Sequence, residues 1–168
     1  MSKASLSLFY GSVAGLILFL ISFFYQTSSI DTFNTLSLIR FIILMGAIIY
    51  VGKEYKNQNN NLFKFKDGMG IGFLVSLYVG IFSGLFYYYY FEYKDNQLFN
   101  VLLEAQKEVY FSMGFSEDDL KKGAAEFTPK TMFLSMLFST ILQGLLFSPL
   151  LSIFLRSKPN QSNGANNF

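Results

Sequence analysis

GMGIGFLVSLYVGIFSGLFYYYYF, residues 68–91, runs without a single charged side chain. A spanning helix needs about 20 predominantly apolar residues, so this stretch is long enough to cross a bilayer. It also carries a small residue at every fourth position: Gly68, Gly72, Ser76, Gly80 and Gly84. A groove of small side chains lets a second helix backbone approach closely. One stretch thus sets both the solvent of the fold and the way its helices touch.

Three more apolar runs flank it. The first covers about residues 6–25, the second about 33–51 and the fourth about 131–155. All meet the length criterion, the second with Arg40 inside it. The first run exceeds the usual ~7–15-residue core of a signal peptide, and no A-x-A-like site follows it, so a retained helix is expected. Composition agrees. The chain of 168 residues is 52% hydrophobic and only 14% charged. Soluble domains carry roughly a quarter charged residues, so the excess apolar surface must face something other than water. A net charge of +2 is too small to imply a nucleic-acid partner. The chain has no Cys and no His, which removes disulfides, thiolate metal sites and the commonest acid–base side chain.

Orientation follows from lysine placement. The segment 52–67 holds Lys53, Lys56, Lys64 and Lys66, while Lys3, Arg156 and Lys158 flank the termini. The first connection has Asp31 and no basic residue. Short loops rich in Lys and Arg stay on the cytoplasmic side. Four spans then place both termini and the Lys-rich loop inside, with the first and third connections outside. The third connection, about 92–130, has eight acids against five bases. Leu98, Val101, Leu102, Ala105 and Val109 recur there at helical spacing, and Gly114 ends that helix. Ser116 is a candidate N-cap for a second, short helix reaching about Glu126. Thr128-Pro129 then starts the fourth span. Asn57–Asn61 reads as a flexible polar stretch, and residues 157–168 as a disordered cytoplasmic tail.

The small stripe is echoed by Ser7, Gly11 and Gly15 in the first span and by Gly144, Ser148 and Ser152 in the fourth. Two readings stand: close packing within one bundle, or homo-oligomerisation through one of these faces. Arg40 is the sole formal charge within a span. It lies about seven residues, or roughly 10 Å, from the outer end of its run, within reach of the headgroups by snorkelling. The competing reading gives it a ligand or transport role. Gln143 sits mid-span and needs a hydrogen-bond partner there. Pro149 is expected to kink the fourth span. The run Tyr87–Tyr90, with Tyr10, Tyr25, Tyr50 and Tyr55, reads as an aromatic belt. The glycines at 68, 70 and 72 lack the context of a phosphate loop.

The layout resembles a bacterial family of small four-span membrane proteins, domain-of-unknown-function family 4199. The resemblance rests on Tyr10-Gly11…Gly15, Lys53-Glu54-Tyr55-Lys56 and Phe65-Lys66-Asp67-Gly68…Gly72. The Tyr-rich exit of the third span and Gly114-Phe115-Ser116-Glu117-Asp118-Asp119 complete it. It covers about residues 5–156 and implies a multi-pass inner-membrane protein, with no activity or catalytic residue to carry over.

The expected fold class is therefore an all-α membrane protein: four transmembrane helices with an external helical loop between spans three and four. Residues 1–156 form the transmembrane domain. Helix packing falls to Gly11, Gly15, Gly68, Gly72, Ser76, Gly80 and Gly84, and Arg40 and Gln143 are the candidate polar intramembrane residues. The expected function is a non-enzymatic membrane interaction or accessory protein without cofactor or metal. The alternative is a small transporter or channel subunit with a polar path near Arg40 and Gln143. The expected partners are the lipid bilayer and a second copy or a membrane protein, with no nucleic acid.

Overall fold

The computed structural model describes residues 1–25, 30–93, 96–116 and 128–156. The expected short helix near residues 117–126 and the tail from 157 lie outside them. The described residues form five helices and no strand: α1 (Lys3–Tyr25), α2 (Ile30–Gln58), α3 (Phe65–Tyr93), α4 (Asn96–Ser112) and α5 (Pro129–Leu155). α1, α2, α3 and α5 are each long and apolar enough to cross a membrane. The fold is an all-helical membrane bundle, as the four apolar runs imply.

Each of the four long helices outruns its apolar stretch, because hydrogen-bonded turns continue into the polar flanks. The largest extension is α2, which passes Val51 and ends at Gln58. Asn57 is therefore helical, and Asn59–Asn61 form a tight turn rather than a flexible stretch. The backbone N–H of Asn61 donates to the carbonyl of Lys56 at 3.0 Å. Asn60 and Asn61 take left-handed φ values of 52° and 59°, a conformation Asn tolerates at helix ends. α3 then begins with the N–H of Lys64 donating to Asp67 Oδ2 at 3.0 Å, half of a capping box. α4 is followed by a turn at Gly114, whose φ of +86° suits a residue without Cβ. α5 starts on a reciprocal box between Thr128 and Thr131, with Pro129 in the first turn. It runs unbroken past Pro149 to Leu155.

α3 is the central helix. It packs most extensively on α5, then on α1, while α2 touches α1, α3 and α5. One buried cluster joins Leu6, Leu44, Ile48, Val51, Ile71, Val75 and Leu151. A second, towards the α4 end, joins Phe86, Tyr87, Phe91, Met132 and Met136. α5 has an inverted amphipathy. Its inward face is Met132, Met136, Thr140, Gly144, Ser148, Leu151 and Ser152. Its exposed residues include Leu134, Phe138, Leu142, Leu146 and Leu150. Large apolar side chains outside and small polar ones inside suit a helix whose solvent is hydrocarbon.

Candidate functional site

The α3–α5 seam is built from the residues with the least side chain. A Cβ on Gly68 would collide with Ser152 Oγ, and one on Gly72 with Ser148 Oγ. The carbonyl of Gly144 lies 3.0 Å from the Cβ position of Gly72, and that of Gly72 lies 2.9 Å from the Cβ position of Gly144. The two backbones are in direct contact there. Ser76 faces Gly144, Gly80 faces Leu137 and Thr140, and Gly84 faces Phe133. On another side of α3, Gly11 meets Tyr78 and Val75, and Gly15 meets Phe82. All seven small residues singled out in the sequence thus lie against helices of the same chain.

The seam hydroxyls turn back onto carbonyls. Thr140 Oγ1 donates to Met136 O at 2.7 Å, Ser148 Oγ to Gly144 O at 2.5 Å and Ser76 Oγ to Phe73 O at 3.0 Å. Ser152 Oγ reaches Ser148 O at 2.7 Å and, across the seam, Phe65 O at 3.1 Å. Such bonds satisfy a hydroxyl within hydrocarbon. They make the seam a packed joint.

Arg40 lies ten residues along α2, about 15 Å at about 1.5 Å per residue. Its side chain is enclosed by protein, with 8% exposure, rather than laid along lipid towards the headgroups. Nη1 donates to Met136 Sδ on α5 at 2.8 Å, and Nε is buried without a partner. Among the described residues, Gln143 reaches Ser139 Oγ, at 3.5 Å, and its Oε1 is buried without a partner. Met136 and Gln143 share a face of α5 but stand two turns apart, about 10 Å. No hydrogen bond joins Arg40 to Gln143 among the described residues. The tyrosine run divides. Tyr87 points inward at 3% exposure, packed on Phe86 and Phe91, whereas Tyr89 is exposed. Tyr87 is therefore a core residue rather than part of a belt. Tyr10 and Tyr50 pair edge to face between α1 and α2, their ring centroids 4.9 Å apart.

Two features have no strong sequence signal. Lys3 Nζ pairs with Asp67 Oδ1 at 3.3 Å, joining the start of α1 to the start of α3. The end of α4 exposes Val109, Tyr110, Phe111, Met113 and Phe115 in close succession. Among the described residues, α4 makes only slight contact with α2 and α3. Periodicity identifies the helix, but nothing in it says that the apolar end is exposed.

Among the described residues, no group of three or more His, Cys, Asp or Glu side chains could hold a metal ion. A family described as "Protein of unknown function (DUF4199)" matches residues 9–157. No curated protein and no solved structure matches the chain.

Proposed function

The chain belongs to the DUF4199 family of proteins of unknown function, and from that premise we propose a non-enzymatic accessory protein of the bacterial inner membrane, whose α4 end docks a partner membrane protein. The observation that carries this reading is the exposed apolar end of α4. Phe111 and Met113 are 65% and 67% exposed, beside the charged Glu104, Lys107 and Glu108. A contiguous apolar patch with a polar rim is the usual anatomy of an interaction surface. The lysine asymmetry supports cytoplasmic termini, which puts α4 on the outer side. The absence of His and Cys from the whole chain supports a role without catalysis.

The test is a photo-crosslinking residue at Phe111 or Phe115 in living cells, with Leu146 as a lipid-facing control. A discrete protein adduct at both α4 positions, absent at Leu146, is expected. Adducts to lipid alone at Phe111 and Phe115 would overturn the reading.

One observation favours a second reading, a small transporter or channel subunit. Arg40 Nε and Gln143 Oε1 are both buried without partners. An intramembrane charge is a functional candidate because placing it there costs at least ~2.5–3.5 kcal/mol on insertion scales. Complementation of a deletion strain separates the two readings. A charge with a structural role tolerates Arg40→Lys, whereas a ligand-binding fork does not. Arg40→Lys is expected to preserve the phenotype, and Arg40→Gln to lower abundance modestly.

A further inference from the structure

The bundle end opposite α4 gathers positive charge on three helices. Lys53 and Lys56 lie in the last turns of α2, Lys64 and Lys66 flank the start of α3, and Arg156 follows α5. The fold brings these termini together. Leu155 packs where a Cβ on Gly52 would sit, and Ser152 Oγ donates to Phe65 O. Among the described residues, six basic side chains, counting Lys3, stand against two carboxylates, Glu54 and Asp67.

Both carboxylates are already engaged. Asp67 is 7% exposed and accepts from Lys3 Nζ through Oδ1 and from the Lys64 N–H through Oδ2. Glu54 Oε1 accepts from Gln58 Nε2 at 2.6 Å. Among the described residues, no ion pair reaches Lys53, Lys56, Lys64, Lys66 or Arg156. Lys53, Lys64, Lys66 and Arg156 are exposed. Lys53, Lys64 and Lys66 fall within five residues of the apolar runs ending at Val51 and beginning at Gly68, and Arg156 directly follows the run ending at Leu155. That is the headgroup level of a spanning helix, where a cluster of four to eight basic residues attracts anionic lipid.

We infer that this end is a binding surface for the phosphate of anionic phospholipid headgroups, formed by Lys53, Lys56, Lys64, Lys66 and Arg156 around the closed Lys3–Asp67 pair. The turn at Asn59–Asn61 sets the spacing, because it holds the α2 and α3 lysines on one rim. Ammonium groups with no protein counter-ion bind a fixed anion without first breaking an ion pair. A free phosphate offers the same chemistry, but it lacks the acyl chains that hold a headgroup at this depth.

The experiment is a thermal melt of the purified full chain in neutral detergent, with added phosphatidylglycerol, phosphatidylcholine or inorganic phosphate. Phosphatidylglycerol is expected to raise Tm by about 5 °C, the scale of saturating one ligand site. Phosphatidylcholine and phosphate are each expected to give less than a third of that shift. The shift should fade in about 1 M salt, where the Debye length is about 3 Å. Lys64→Gln with Lys66→Gln should at least halve it, and Lys107→Gln with Lys130→Gln, on the opposite side, should leave it intact. An equal shift with phosphatidylcholine would reduce the effect to bulk lipid. An equal shift with phosphate would make the ligand a soluble anion. Either result overturns the inference, as does a wild-type shift that survives high salt.

Discussion

The α3–α5 seam and the free end of α4 use opposite materials. The seam joins Gly68, Gly72, Ser76, Gly80 and Gly84 to Ser152, Ser148, Gly144, Thr140 and Phe133, and is mostly small or hydroxylated. The α4 end carries Val109, Phe111, Met113 and Phe115, large, apolar and exposed. In a water-soluble protein the second set would form the core and the first the surface. Hydrocarbon abolishes the gain from hiding apolar groups, so close backbone approach decides what packs inside the membrane. Where water is the solvent the usual preference returns, and an exposed apolar cluster is the exception there.

This contrast can be broken most easily at the seam. Gly72→Leu inserts a side chain where Ser148 Oγ and the Gly144 carbonyl already sit. Overpacking a tight joint costs about 3 kcal/mol, and here the opposing wall is backbone, which cannot rotate away. A large fall in Tm in detergent is expected, beside a shift near zero for Leu146→Ala on the outer face of α5. Unchanged melting of Gly72→Leu would mean that α3 and α5 do not touch there.

Asp67→Asn should have an intermediate effect. It removes the negative charge from the Lys3 pair and weakens the cap on α3, together worth about 1–2 kcal/mol. The check is the melt of Asp67→Asn against Lys3→Gln. A smaller loss is expected for Lys3→Gln, which leaves the cap in place, and the double variant should lose little more than Asp67→Asn alone, because both substitutions remove the same ion pair.

The smallest effect on stability should come from α4. Phe111→Ser removes a side chain that is 65% exposed, so its effect on Tm should lie within about ±0.5 kcal/mol equivalent. Loss of the crosslinked partner at unchanged Tm would sharpen the division between a joint that holds the molecule and a surface that serves another one. A large destabilisation by Phe111→Ser would show that α4 belongs to the folding unit.

Much of this organisation is written locally. Apolar run length marks the four spans, Gly114 and Thr128-Pro129 punctuate the α4–α5 region, and the four-residue spacing of small residues marks the seam. Other features need two distant parts of the chain at once. Lys3 and Asp67 are separated by 64 positions, and Arg40 and Met136 by 96, so neither pairing leaves a trace in any window. The thioether of Met136 gives no polar signal at all. Tyr87 shows a different limit. Four consecutive tyrosines on a helix face four directions about 100° apart, so the run cannot lie wholly in one belt. Hydropathy also falls silent beyond Val51, because the last turns of α2 are polar and held by backbone bonds.

The arrangement around α3 has a consequence for how the molecule is made. The face of α3 that meets α5 is laid down before its partner exists, because α5 begins only at Pro129. At about 5–20 residues per second, the interval from Tyr93 to Pro129 lasts roughly 2–7 s. During that interval the glycine groove lies open to the bilayer, able to accept any passing helix with small residues on one face. The growing chain thus passes through a window in which its most specific joint is also its least guarded. Arrival of the last span closes that window.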